Sequence, residues 1–136
     1  MKKKRMFGYI AVIAVFTAAF LLMGASCSAS TANIQNAVLT TAVDSNGKPA
    51  DSVTTIAVNT PLYAVAELHN APDGTTVSFK WYAGDTQVDQ VNMTNTLTDQ
   101  YVQSSVDGIK APGNYKVSIF IDDRAQPDAS LSFTVQ

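Results

Sequence analysis

TTVSFKWY, from Thr75 to Tyr82, decides the fold. Val77, Phe79 and Trp81 fall on one side of an extended chain, and Ser78 and Lys80 on the other. Successive side chains of a strand point to opposite faces, so this pattern describes a strand with one face in a core and one toward water. The period recurs in NYKVSIFID, where Tyr115, Val117, Ile119 and Ile121 oppose Lys116, Ser118, Phe120 and Asp122. It recurs again in SLSFTVQ, where Leu131, Phe133 and Val135 alternate with Ser132, Thr134 and Gln136. Beyond residue 30 no stretch keeps an apolar pattern at helical spacing.

Turn residues separate these runs. They lie around Asn46 and Gly47, from Pro72 to Gly74, at Gly84, and at Pro112 and Gly113. The spacing predicts strands over Ala37 to Asp44, Val53 to Val58, Leu62 to His69, Thr75 to Tyr82, Gln87 to Met93, Asp99 to Val106, Asn114 to Asp122 and Leu131 to Gln136. Seven or eight short strands without helical partners imply an all-β protein, an antiparallel sandwich or barrel. The predicted core adds Leu62 and Leu68 to the inward residues of the three runs above.

From Pro61 to the end, the chain resembles the immunoglobulin-like and fibronectin type III-like β-sandwich domains of bacterial surface lipoproteins. NAPDGTTVSFKWY and PGNYKVSIFIDD carry most of the likeness. The resemblance implies that Trp81 is the core Trp of a central strand. It also implies that Tyr115 belongs to the penultimate strand and hydrogen-bonds at a corner. With a single cysteine, the chain has no internal disulfide.

The N-terminus has a different character. Lys2, Lys3, Lys4 and Arg5 precede an uncharged, mostly apolar run from Met6 to Met23, which gives way to Gly24, Ala25, Ser26 and Cys27. A cationic start, an apolar middle and a small-residue exit are the parts of a secretory signal. Ala25, Ser26 and Cys27 resemble the lipobox of bacterial lipoproteins, although Gly24 stands where Leu is usual. That resemblance implies a lipidated Cys27, removal of residues 1–26, and an anchor made of several acyl chains. Two other readings compete: an ordinary signal cleaved near Ala29, and an uncleaved membrane helix. All three place the remainder outside the cytoplasm, at the cell surface or in the periplasm. The expected organisation is a signal helix over 1–26, Cys27 with a polar tether over 27–35, and one sandwich over 36–136.

Four of the nine basic residues lie in the leader, so from Cys27 onward five basic side chains face eleven acidic ones, a net charge of −6. An average of that sign repels phosphate backbones, and no nucleic-acid partner is expected. No catalytic constellation stands out. His69 is the only histidine, no G-x-S-x-G motif accompanies it, and one His with one Cys makes a poor metal set. DSNGKPAD, from Asp44 to Asp51, superficially resembles a calcium loop but lacks ligand density and a closing Glu. Asp122, Asp123 and Asp128 are expected at a solvated hairpin. Tyr63, Tyr82 and Phe120 fall opposite the core positions and form the candidate binding surface.

Three functions are compatible with these features. The favoured expectation is a non-catalytic interaction module, anchored to the membrane through Cys27, without cofactor or metal, and presented to another envelope or extracellular protein. The alternatives are carbohydrate binding through the exposed rings and, less favoured, a hydrolytic enzyme. The anchor is open to direct measurement: Cys27→Ala should abolish incorporation of labelled palmitate, and label retained in the variant would refute lipidation at that residue.

Overall fold

The computed structural model describes residues 30–136. The leader, the signal helix expected over 1–26 and Cys27 therefore lie outside the described residues, and so does the apolar run read as a membrane helix. Eight strands follow one another: β1 (Asn33–Thr40), β2 (Thr55–Ile56), β3 (Leu62–His69), β4 (Thr76–Ala83), β5 (Thr86–Thr94), β6 (Gln100–Val106), β7 (Gly113–Ile121) and β8 (Ala129–Val135). They form a three-stranded sheet in the order β1-β3-β6 and a five-stranded sheet in the order β2-β8-β7-β4-β5. The described residues are all-β, as the alternation predicts.

Two sheets pack by pressing their apolar faces together. From the small sheet, Leu62, Ala64, Ala66, Leu68 and Val102 are buried; from the large one, Val77, Phe79, Trp81, Val117, Ile119, Ile121, Phe133 and Val135. Apart from Ala64, Ala66 and Val102, these are the period-two positions read from the sequence, with Leu131 and Tyr115 half-buried beside them. The indole Nε1 of Trp81 on β4 donates to Ser104 Oγ on β6 at 3.0 Å, a buried hydrogen bond that joins the two sheets. Phe133 meets Trp81 edge-on at 6.1 Å and stacks on Tyr115 at 5.6 Å. The Tyr115 hydroxyl donates to the Ala111 carbonyl oxygen at 2.6 Å and pins the entry to β7.

The structure departs from the sequence reading in three strands, the first of which also ends at Thr40 rather than Asp44. First, β1 begins at Asn33, inside the stretch expected to be tether, because Asn33, Ile34 and Gln35 pair with His69, Leu68 and Glu67. Polar strand residues conceal that pairing, since Gln35 faces solvent. A bulge then shifts the register between Gln35 and Val38, and Asn36 takes a φ of 50°, a conformation that Asn tolerates well. Second, the strand expected over Val53 to Val58 shrinks to Thr55 and Ile56 and pairs in parallel with β8, so the sandwich is not wholly antiparallel. Third, β8 starts at Ala129, two residues before the expected Leu131.

Loops close around Asn95. Its Nδ2 lies 3.2, 3.0 and 3.2 Å from the carbonyl oxygens of Ala71, Pro72 and Leu97, and its Oδ1 accepts from the Thr75 N–H at 3.0 Å. One buried side chain thus ties the β3–β4 turn to the β5–β6 turn.

Removing the inter-sheet bond should be costly. Ser104→Ala leaves the buried indole N–H without its acceptor and should lower unfolding free energy by about 1–3 kcal/mol. Trp81→Ala also opens a cavity and should cost about 3–5 kcal/mol. Urea titration followed by circular dichroism checks both; equal midpoints for wild type and Ser104→Ala would show that the bond carries no stability.

Candidate binding face of the five-stranded sheet

The outward side of the large sheet holds the most distinctive chemistry among the described residues. Alternation and register place Ser78, Lys80 and Tyr82 of β4 there, opposite Phe120, Ser118 and Lys116 of β7. Ser130, Ser132 and Thr134 of β8 flank them on one side, and Gln87, Gln90 and Asn92 of β5 on the other. None of these strand positions is a carboxylate. Lys80 Nζ stands 4.4 Å from the Phe120 ring centre, and Lys116 Nζ stands 4.8 Å from that of Tyr82. Each ring attracts the cation over its face, and the lysine stem covers part of the ring. Neither lysine has an ion-pair partner among the described residues.

Two hollows lie beside these lysines. One, of about 470 Å³, is lined by Lys116 with Asn114, Ser132, Thr134 and Asp85. The other, about 240 Å³, is lined by the Lys80–Phe120 pair with Gln90, Asp122, Asp123 and Arg124. Tyr82 and Phe120 sit four strand positions apart, roughly 13 Å along the sheet. The amides of β5 form a row, Gln87 to Gln90 at 3.2 Å and Gln90 to Asn92 at 3.0 Å. The face therefore offers two rings, two cations and many neutral donors and acceptors on one rigid surface.

Tyr63 is not part of it. It lies on β3, on the outward side of the other sheet, opposite Ser105. On that side Val65 is buried although it points away from the core, and it pairs with Val38 and Gln103. The structure thus brings together Tyr82 and Phe120 and separates Tyr63 from both. His69 Nε2 lies 3.3 Å from Glu67 Oε1, and its Nδ1 lies 3.3 Å from Asp99 Oδ1. Its ring is half-buried between two carboxylates, whereas triad chemistry needs a hydroxyl on one nitrogen. Lys80 and Lys116 are site residues that the sequence reading passed over as ordinary solvent-facing positions. Their outward phase was the available signal; their pairing with rings depends on cross-strand register.

The chain matches no protein-family model. It matches no curated protein. Among solved structures it is similar in fold to a Pseudomonas fluorescens alkylpurine DNA glycosylase, AlkC, bound to DNA containing an abasic site analog. The TM-score is 0.51 at 11% identity, over 79% of this chain. The chain corresponds to 31% of the length of that glycosylase. What is shared is the fold.

That likeness corrects three expectations. A DNA-bound enzyme contains this fold, so the fold gives no ground for excluding catalysis or nucleic acid. With those exclusions goes the reading of the chain as a non-catalytic module for another envelope protein, and the sugar-binding alternative that accompanied it. The physical error lay in averaging charge. The net −6 beyond the leader conceals a sheet face whose only charged strand positions are lysines.

Of the carboxylates singled out as ligands or acids, Asp44, Asp51, Asp122 and Asp128 are occupied by nearby backbone and hydroxyl donors. Asp44 Oδ1 accepts from the N–H groups of Asn46 and Lys48, both at 2.9 Å. Asp122 Oδ1 accepts from Thr76 N–H at 3.0 Å, and Asp128 Oδ2 from Ile121 N–H at 2.9 Å. Asp51 is held by the hydroxyl of Thr40 and by the N–H and hydroxyl of Thr41. The Thr40 hydroxyl, followed by the two Thr41 donors, lowers the Asp51 carboxyl below its ordinary 3.8. A depressed carboxyl stabilises the fold fully above its unfolded value and loses that contribution as pH falls through the folded value. Asp51→Asn should therefore be less stable than wild type at pH 7, with the gap narrowing as pH drops below 3.8. Urea midpoints across this range check the sign; a gap that widens toward acid would refute it.

Proposed function

We propose that the domain binds single-stranded nucleic acid on the outward face of its five-stranded sheet. The observation that carries this reading is the pairing of Lys80 with Phe120 and of Lys116 with Tyr82 on a surface whose strand positions hold no carboxylate. Proteins that track single strands combine cations for the backbone with aromatic rings on which bases stack. Here Lys80 and Lys116 move from ring to phosphate as bases take their place on Phe120 and Tyr82. Ser132 and the β5 amides, which are exposed, supply neutral hydrogen bonds to sugar and base edges. The DNA-bound glycosylase that shares the fold supports the same partner class. Phosphate contacts from Lys80 and Lys116 release counterions, so affinity falls as salt rises.

The sandwich itself is of the immunoglobulin or fibronectin type III kind in this proposal. Support comes from the strand order β1-β3-β6 against β2-β8-β7-β4-β5, from Trp81 on a central strand, and from the Tyr115 hydroxyl bond at the entry to β7. The address is a separate proposal, resting on the cationic and apolar leader and on the lipobox-like residues before Cys27. Exported by that leader, the face meets nucleic acid outside the cytoplasm.

Fluorescence anisotropy of a labelled oligothymidylate with the detergent-solubilised full chain tests the binding reading. The double variant Lys80→Ala/Lys116→Ala should bind at least about tenfold more weakly and lower the slope of log K against log salt by about 1.4, or 0.7 per lost phosphate contact. Phe120→Ala should weaken binding by about 1–3 kcal/mol, while inorganic polyphosphate, which cannot stack, should compete poorly. Absence of wild-type binding at low salt, or variants that bind like wild type, would overturn the proposal.

A further inference from the structure

The long edge of the large sheet points to a partner. Strand β5 is exposed at eight of its nine positions and, among the described residues, no strand pairs with its outer side. The three exposed large hydrophobic residues among those described are Val88, Val91 and Leu97, two on β5 and one just after it. Such an edge presents backbone donors and acceptors to any strand that approaches; here the Gln90 N–H donates to its neighbour Asp89 Oδ1 at 2.8 Å, a contact that a paired strand would replace. Proteins usually protect it with lysine, proline or a bulge. Here β5 has neither lysine nor proline, and its single irregularity lies opposite the Trp81/Tyr82 step. From Asp89 to Thr94 the pairing with β4 is regular, so the free edge there is straight enough to accept another strand.

We propose that two copies of this chain join antiparallel along β5, in a register centred on Val91. A two-fold axis normal to the sheet keeps outward residues outward, and centring on Val91 sets that residue against its own copy on the inward side. Gln90 then faces Asn92 of the second copy, and Asn92 faces Gln90, which extends the amide row already present within the strand. Asp89, the only charged residue of β5, falls opposite Met93 rather than opposite another Asp89. The register thus sets Val91 against Val91 and amide against amide, with no like charges directly opposed. The contact is one strand edge, at the small end of protein interfaces, and its affinity is modest. Pairing would join two five-stranded sheets into one and lay their outward faces side by side.

Disulfide trapping in the full chain tests this independently of any nucleic acid. In a Cys27→Ser background, Val91→Cys places a thiol at the two-fold position. Directly opposed Cα atoms of an antiparallel pair lie about 4.5–5.5 Å apart, and disulfides span about 4.4–6.8 Å. Mild oxidation should therefore yield a covalent dimer on non-reducing gels. Gln103→Cys, exposed on the edge strand β6 of the other sheet, serves as the control and should stay monomeric. A mixture of Gln90→Cys and Asn92→Cys chains should give the heterodimer in preference to either homodimer. Circular dichroism establishes that each variant is folded before it is scored. No dimer from folded Val91→Cys, equal trapping of Gln103→Cys, or homodimers dominating the mixture would overturn the proposal.

Discussion

The hydrogen bond from the Trp81 indole to Ser104 fixes how the two sheets meet. Hydrophobic burial drives sheets together without specifying their alignment, because it is non-directional. An indole N–H in a dry core must find an acceptor, and the one available here lies on the opposite sheet. The bond therefore selects one placement of β6 over β4. Phe133 and Tyr115 then pack around the indole in sequence, edge-on and stacked. Without a disulfide, this cluster does the work of holding the layers in register.

A rigid inner face has consequences outside. Since β4 and β7 are fixed by Phe79, Trp81, Val117 and Ile119 on the inside, their outward side chains stand at set spacings on the other side. Lys116 faces Tyr82 directly, and Lys80 reaches Phe120 diagonally. Both contacts need little reorganisation of the backbone. The carboxylates, meanwhile, concentrate in turns and on the other sheet, where Asp44, Asp51, Asp122 and Asp128 bind backbone amides and Glu67 and Asp99 flank His69. Acidic turns and a basic sheet face are thus compatible in one domain of negative net charge.

What the sequence made legible follows from this division. The inward positions of β4, β7 and β8 could be read because burial imposes strict period two, and Leu62, Phe79, Trp81 and Ile119 are where the alternation puts them. Strands held mainly by backbone pairing were harder to see. The start of β1 is polar and bulged, and β2 is a two-residue parallel contact without a pattern of its own. Among candidate site residues, the outward phase of Tyr82 and Phe120 was visible, yet nothing local said that Tyr63 belongs to a different sheet. That assignment depends on β3 pairing with β1 and β6, whereas β4 pairs with β5 and β7. The lysine–ring pairs were hidden for the same reason: Lys80 and Phe120 are forty residues apart in the chain and become neighbours only through the β4–β7 register.

The inner and outer faces also differ in what a shared fold can transmit. A sandwich core accepts many apolar combinations provided that volume and alternation are kept. A likeness at 11% identity is therefore natural for two chains that satisfy the same packing requirement. The outward face is under no such requirement, because Ser, Lys, Tyr or Gln can stand there without disturbing the layers. Function on this scaffold must then be argued from the side chains that packing leaves free. In this chain those residues are two cations held over two rings, an arrangement that folding does not demand and that an anionic, ring-bearing ligand can use.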